Sequence, residues 1–152
     1  MTITVRLAGL EDLTRLVILG RVAHGASNYR DIPFNAGHTR DMFRGAVLLK
    51  GQDVLIAERA DGSLCGFLIA MTIELPFSPR KYATDGAFYA EQGGDVLLDA
   101  FVEWARKKHV ARIDLSVSQD DPGDRIDHLY QRKGLARTGG MYLMKIPLET
   151  KP

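Results

Sequence analysis

The stretch Leu129-Tyr130-Gln131-Arg132-Lys133-Gly134-Leu135 decides the fold prediction, because it is typical of a helix that ends at a glycine and is followed by a strand. Gly134 can adopt the left-handed conformation that caps a helix, and Arg132 and Lys133 suit the negative end of the helix dipole. Taken alone, Tyr130 is typical of a side chain that packs in a core or at its rim. Whether Tyr130 has a chemical role must therefore be judged from the rest of the sequence.

Composition indicates one self-sufficient domain over residues 1–152, because 45% of the residues are hydrophobic in a chain of this length. The 20 basic and 19 acidic residues give a net charge of +1, so neither nucleic acid nor an anionic membrane is an expected partner. The N-terminus has no targeting pattern, and no segment has the length of a membrane span. We therefore expect a cytoplasmic protein.

Cysteine and histidine usage predicts neither a disulfide nor a metal site. The single Cys65 lies in an apolar run, where a small core residue is the expected role. The four histidines, at positions 24, 38, 109 and 128, include no pair four residues apart on one helical face.

Hydrophobic periodicity predicts the order β, α, α, β, β, β, α, β, α, β. Ile3, Val5 and Leu7 alternate as one face of a strand, and Asp61-Gly62 is a hairpin turn signal. Strands are predicted at residues 2–7, 53–59, 64–74, 87–90, 113–117 and 141–148, and helices begin near residues 11, 40, 96 and 124. The third helix has an apolar stripe that includes Phe101 and Trp104.

This order and the heptapeptide together resemble the GNAT superfamily of N-acetyltransferases over essentially the whole chain. The opening Val5-Arg6-Leu7-Ala8 with Glu11-Asp12-Leu13 is similar to the first strand and helix of that family. The loop at residues 29–34 is similar to short phage-encoded members. The resemblance implies a single-domain α/β (α+β) fold, in which helices flank both faces of a mixed central sheet.

The resemblance also implies a reaction: acetyl transfer from acetyl-CoA to an amine, without a covalent enzyme intermediate. Tyr130 would be the acid that protonates the coenzyme A thiolate, and a backbone N–H near Tyr89 would polarise the thioester carbonyl. Glu74 and Asp85, near the ends of central strands, are the candidate bases. Each of these two carboxylates is more typical of a solvated charge at a strand end.

The cofactor segment departs from the family pattern of Arg or Gln, two residues, Gly, one residue, and Gly or Ala. The corresponding stretch is Tyr89-Ala90-Glu91-Gln92-Gly93-Gly94-Asp95-Val96. Aligning the following helix places Gly94 on the last glycine of the pattern, whereas aligning the strand makes the loop shorter, and we favour the second alignment. The implied cofactor-binding residues are Tyr89, Ala90, Gln92, Gly93, Gly94, Asp95 and Val96.

Two features leave alternatives open. Gly93-Gly94 could be a plain turn, and the Asp95 carboxylate could cap a helix or repel a pyrophosphate. A catalytically degenerate GNAT-like domain that acts as a binding or assembly module is therefore the alternative function.

The acceptor is expected to be an amine of a small molecule or a protein. Tyr29 and Arg30 lie in the loop between the first two helices, where family members commonly shape the acceptor site; an exposed surface loop is the other interpretation. The edge of the final predicted strand, at residues 141–148, could pair in a homodimer.

Overall fold

The computed structural model describes residues 2–117 and 124–147. In chain order the elements are β1 (Ile3–Leu7), a 3-10 turn (Leu10–Asp12), α1 (Leu13–Ala26), α2 (Ala36–Leu48), β2 (Gln52–Arg59), β3 (Leu64–Glu74), β4 (Lys81–Ala90), α3 (Gly94–Lys107), β5 (Arg112–Asp114) and α4 (Arg125–Arg132). The strands form one sheet in the order β1-β2-β3-β4-β5, antiparallel throughout except for the parallel pair β4 and β5. None of the helices in the described ranges combines the length and apolar character that crossing a membrane requires.

The central strands bury both faces, and their side chains alternate between two cores with the period of two that a strand dictates. Leu55 and Ala57 of β2 pack on one face with α3, whereas Val54 and Ile56 pack on the other face with α1 and α2. Cys65 lies in the first core and is fully buried. The mixed sheet with helices on both faces is therefore confirmed.

The hairpin predicted at Asp61-Gly62 is also confirmed, and it joins β2 to β3. Gly62 has a φ of +88° and its N–H donates to the Arg59 carbonyl at 2.9 Å. The Asp61 carboxylate accepts the N–H of Ser63 at 2.9 Å. Glycine is favoured here because a side chain strains a backbone with positive φ.

The heptapeptide forms the predicted helix end. Gly134 has a φ of +90°, and the N–H of Leu135 donates to the Tyr130 carbonyl at 3.0 Å. Lys133 also ties this helix to α3, because its ammonium lies 2.8 Å from the Asp99 carboxylate.

The fourth strand begins earlier than predicted, at Lys81 rather than at residue 87. The register with β3 passes from Ile69 opposite Ala87 to Ala70 opposite Asp85, so Gly86 is an extra residue in β4. The Asp85-Gly86 pair is therefore a bulge inside a strand, although the same dipeptide commonly forms turns. A Cβ at Gly86 would lie 3.0 Å from the Met71 sulfur, which leaves little room for any other residue.

The predicted final strand is wrong for residues 141–147, which form no strand in the structure; residue 148 lies outside the described residues. Their large apolar side chains are exposed, and they are Met141, Tyr142, Leu143, Met144 and Ile146. Apolar character in a short segment is a local property, whereas a strand also needs a partner whose backbone it can pair with. The homodimer predicted through this edge stays a prediction.

Asp12 anchors the start of α1 to β1. Its carboxylate is fully buried and accepts two hydrogen bonds of 2.9 Å from the Arg6 guanidinium and one of 2.9 Å from the Gly9 N–H. The Arg6 guanidinium holds the pKa of Asp12 well below its usual range. A lowered pKa means that this contribution to stability is complete at neutral pH and is lost as the pH falls below the usual aspartate range.

We expect Asp12→Asn to lower the free energy of unfolding at pH 7 by about 1.5–3 kcal/mol, the usual value of hydrogen bonds to a charged group. Urea denaturation at pH 7 and at pH 3 measures the effect. The difference in free energy of unfolding between wild type and variant should be smaller at pH 3, because there the unfolded chain binds a proton at Asp12 and part of the wild-type advantage is lost. Asp41→Asn, on the exposed side of α2, is the matched control. Equal destabilisation by both variants would contradict the assignment.

Candidate active site

The sheet opens between β4 and β5. Within the part of the chain that the structure describes, the two strands pair where residues 82–84 of β4 lie beside residues 112–114 of β5. Beyond this point they separate, and a cavity of about 100 Å³ lies between them, α3 and α4. We call it the strand-gap cavity, and its lining comprises Asp85, Phe88, Ala90, Gly94, Ser116, Val117, Ile126, Leu129 and Tyr130.

Tyr130 lies on α4 at the wall of the strand-gap cavity. Its side chain is half-buried and packs against the core beneath α3. Its hydroxyl donates to the Ser116 carbonyl at 3.1 Å. The helix therefore presents a phenol proton to a small, partly apolar space.

Asp85 lines the same cavity from β4. Its Oδ1 atom is buried and has no hydrogen-bond partner among the described residues. Burial raises the pKa of Asp85 to about 6, and hydrogen bonds from its own N–H and from the N–H of Ser116 oppose that effect only in part. The carboxylate can therefore take up or release a proton near neutral pH, as a general base must.

Ser116 connects these two side chains, and the sequence did not single it out. Its N–H interacts with the Asp85 carboxylate, and its carbonyl accepts the Tyr130 hydroxyl. Both contacts use the backbone, so the serine side chain carried no signal that could have revealed them.

A second, larger cavity lies on the other side of β4, against α1, α2 and the loop between them. Its volume is about 520 Å³. We call it the aromatic cavity, because six of the described residues that line it are Tyr29, Phe34, Phe43, Phe67, Phe88 and Tyr89. It shares Asp85, Phe88 and Ser116 with the strand-gap cavity. Asp85 therefore lies where the two cavities meet.

The loop before α2 has a defined hydrogen-bonding pattern. The Ser27 hydroxyl donates to the His24 carbonyl at 2.8 Å and accepts the N–H of Tyr29 at 3.1 Å. Asn35 then caps α2 by accepting the N–H of His38 at 2.8 Å. Tyr29 lines the aromatic cavity.

Arg30 is the other residue of this loop that the sequence associated with an acceptor. It is exposed, it is not part of the described lining of either cavity, and its guanidinium donates to the Ser27 carbonyl at 3.0 Å.

The connection between β4 and α3 is short and consists of residues 91–93. Gly93 has a φ of +79°, and Gly94 begins α3 and lines the strand-gap cavity. The first backbone hydrogen bond of α3 runs from the N–H of Leu97 to the Gly93 carbonyl, at 2.9 Å. The N–H groups of the preceding residues have no partner within the helix, which is the usual basis of anion binding at this position.

The other candidate cofactor residues are divided among different surroundings. The Gln92 side chain accepts a hydrogen bond from Arg59 at 3.2 Å. Asp95 is exposed in the first turn of α3 and Val96 is half-buried there. Ala90 lines the strand-gap cavity and Tyr89 the aromatic cavity.

The structure separates the two candidate bases. Glu74 is exposed at the end of β3, opposite Lys81, and lies outside the described lining of both cavities. Asp85 is opposite Ala70, four residues earlier in β3, or about 13 Å along the strand. The described residues contain no group of three or more His, Cys, Asp or Glu side chains that could hold a metal ion.

No family model matches the sequence, and no curated protein matches it. Solved structures do match. One is described as a probable acetyltransferase, with 18% identity over 99% of this chain and 100% of that one, and a TM-score of 0.72. Another is ribosomal-protein-alanine N-acetyltransferase from Brucella melitensis biovar Abortus 2308, with 18% identity, coverage of 96% and 100%, and a TM-score of 0.71.

A third match is a predicted acetyltransferase with acetyl-CoA from Clostridium acetobutylicum, with 17% identity over 95% of this chain and 96% of that one, and a TM-score of 0.71. At these identities the likeness is one of fold. The chain therefore has the fold of the GNAT-type acetyltransferases, a single α+β domain.

Proposed function

We propose that this protein is an N-acetyltransferase that moves an acetyl group from acetyl-CoA to an amine. The observation that carries the proposal is the position of Asp85. A half-buried carboxylate, with a buried Oδ1 atom and a pKa raised to about 6, lies where two cavities meet, and Tyr130 lines the smaller of them. This arrangement suits a two-substrate transfer, because the amine must reach the thioester carbon while a nearby base accepts the proton that the amine loses.

The residues present suit acetyl-CoA. The strand-gap cavity, at about 100 Å³, can admit the acetyl end of a thioester, and its apolar wall includes Phe88 and Leu129. The N–H groups at the start of α3, beside Gly94, suit a pyrophosphate. Asp95 is exposed in the same turn, so its carboxylate can turn towards solvent.

Bound acetyl-CoA supplies an activated acetyl group and a thiol leaving group. In the proposed reaction Asp85 accepts at Oδ1 the proton that the amine loses, and a backbone N–H of β4 near Tyr89 polarises the carbonyl. Tyr130 supplies a proton from its hydroxyl to the departing sulfur and is held until then by the Ser116 carbonyl. We assign no role to Glu74.

Calorimetric titration of acetyl-CoA tests the cofactor site. We expect saturable binding at one site, weakened by about tenfold or more in Gly94→Glu, because a carboxylate would then face the pyrophosphate. A Cβ at Gly94 would lie 3.5 Å from the Ala90 Cβ, an ordinary contact, so the fold should tolerate the change. Gly25→Glu in α1, where a Cβ would meet nothing within 4 Å, is the matched control.

If acetyl-CoA does not bind at millimolar concentration, the enzyme proposal fails. The binding or assembly module would then be favoured, and the Asp95 carboxylate in the first turn of α3 would give a reason, since it would repel a pyrophosphate.

A further inference from the structure

The chemistry of the acceptor can be inferred from the walls of the aromatic cavity. Phe43 and Phe67 meet edge to face, with centroids 5.1 Å apart, and Tyr89 lies 6.4 Å from Phe67. On the loop side, Phe34 is 5.5 Å from His24 and 4.6 Å from the Arg21 guanidinium. Packing therefore fixes these rings before any ligand arrives, and preformed apolar walls favour an apolar ligand body.

The distribution of charge narrows the choice further. Asp85 is the only acidic side chain in the described lining of the aromatic cavity, and that lining contains no lysine or arginine. A second ammonium group on the ligand would have no carboxylate partner in this lining, and a ligand carboxylate or phosphate would have no lysine or arginine partner. Burying an unpaired charge costs far more than burying an apolar group, so both kinds of ligand are disfavoured.

Two histidines, His24 and His38, also line the aromatic cavity. The Nε2 atom of His24 lies 2.6 Å from the Ile32 carbonyl, so this nitrogen carries a proton and donates it to the backbone. The backbone N–H of His38 donates to the Asn35 side chain at the start of α2. The cavity therefore combines a volume of about 520 Å³, with several aromatic walls, and one carboxylate whose Oδ1 atom is buried.

We propose that the aromatic cavity binds a monoamine whose amino group is attached to an aromatic or similarly bulky apolar body. The amine would point to Asp85 and the apolar body would contact Phe34, Phe67 and Tyr89. The role of this ligand as the acetyl acceptor rests on the proposed function, whereas its binding rests on the cavity itself.

Calorimetry with three probes tests the inference, in the presence and absence of acetyl-CoA. The probes are 2-phenylethylamine, its uncharged analogue 2-phenylethanol, and the polycation spermidine. We expect 2-phenylethylamine to bind at one site about tenfold or more tightly than either of the others. The alcohol has no ammonium group to pair with Asp85, and spermidine has no aromatic body to contact the walls. Release of coenzyme A from acetyl-CoA should follow the same order.

A charge introduced into the wall should change that preference. Met42 lines the cavity from α2 and is 41% exposed, so Met42→Glu would add a second carboxylate. We expect the ratio of spermidine to 2-phenylethylamine affinity to rise by about tenfold in this variant. Leu48→Glu, on the same helix but outside the described lining, should leave the ratio unchanged.

The outcomes separate this inference from the proposed function. Tighter binding of spermidine, or no amine binding by a protein that binds acetyl-CoA, would overturn the inference and leave acetyl transfer in place. Binding of 2-phenylethylamine without any binding of acetyl-CoA would support the cavity chemistry and overturn the enzyme proposal.

Discussion

Asp85→Asn is expected to lower kcat by about 10²–10⁴, the usual contribution of a positioned general base. Asparagine has nearly the same shape and can still accept the N–H of Ser116, but it cannot take a proton from an amine. Activity should be measured with a saturating amine across the pH range. In the wild type the rate should rise as Asp85 ionises, with a midpoint near its pKa of about 6, and this limb should vanish in the variant.

Glu74→Gln is the matched control for this experiment. It removes the other carboxylate that the sequence offered as a base, at an exposed strand end outside the described lining of both cavities. We expect its rate to equal that of the wild type. A large loss in Glu74→Gln with an active Asp85→Asn would reverse the assignment of the base.

Asp85→Asn should also stabilise the protein at neutral pH. Burial raises the pKa of Asp85 from 3.8 to about 6, so the folded state holds its proton more tightly than the unfolded chain. Wild-type stability should therefore fall as the pH rises through that interval, and the full cost remains above it. Removing the charge should recover at most about 3 kcal/mol, since one pKa unit corresponds to about 1.4 kcal/mol.

Denaturation at pH 4 and pH 8 would distinguish this effect from a general change in packing. A gain confined to pH 8 would show that the buried charge is what destabilises the wild type. Lower activity together with higher stability is the signature of a group retained for chemistry.

Local patterns predicted the parts of the fold that local interactions determine. The turn at Gly62 and the helix end at Gly134 both need a positive φ, which glycine adopts most readily. The stripe of α3 has one periodicity and one buried face, so Phe101 and Trp104 were recognised as core residues and lie there. These predictions did not depend on the position of any other element.

The errors arise where the outcome depends on distant partners. Gly86 ends no strand, because pairing with β3 on both sides of it absorbs the extra residue as a bulge. Residues 141–147 have apolar character suited to a strand but pair with no described strand. Apolar content predicts a tendency to be buried; it does not identify the surface that buries it.

The candidate site, too, was predicted only in part from the sequence. Tyr130 was predicted from the family motif and Asp85 from its position near the end of a predicted central strand, and both line one cavity in the structure. Ser116 and the aromatic cavity were not predicted, since the first acts through its backbone and the second needs the loop, α2 and β4 side by side. A phenylalanine such as Phe67 is typical of a core residue in any sequence, and only its position beside an open space gives it a second role.

Tyr130→Phe is expected to lower kcat by about 10²–10⁴ with acetyl-CoA, while binding of acetyl-CoA is retained. The variant keeps the ring that packs beneath α3 and loses only the hydroxyl, whose hydrogen bond to the Ser116 carbonyl contributes about 1 kcal/mol to stability. Tyr82→Phe is the matched control, because Tyr82 lies on β4 outside the described lining of both cavities.

The leaving thiol provides a test that a structural role would not satisfy. An acetyl thioester of an acidic aromatic thiol expels a stable thiolate and needs no proton donor. If Tyr130 is the acid, the difference between wild type and Tyr130→Phe should shrink strongly with this donor, whereas a packing defect would slow both donors equally. Equal losses with the two thioesters would remove Tyr130 from the chemistry and leave it a structural role, through its packing beneath α3 and its hydrogen bond to the Ser116 carbonyl.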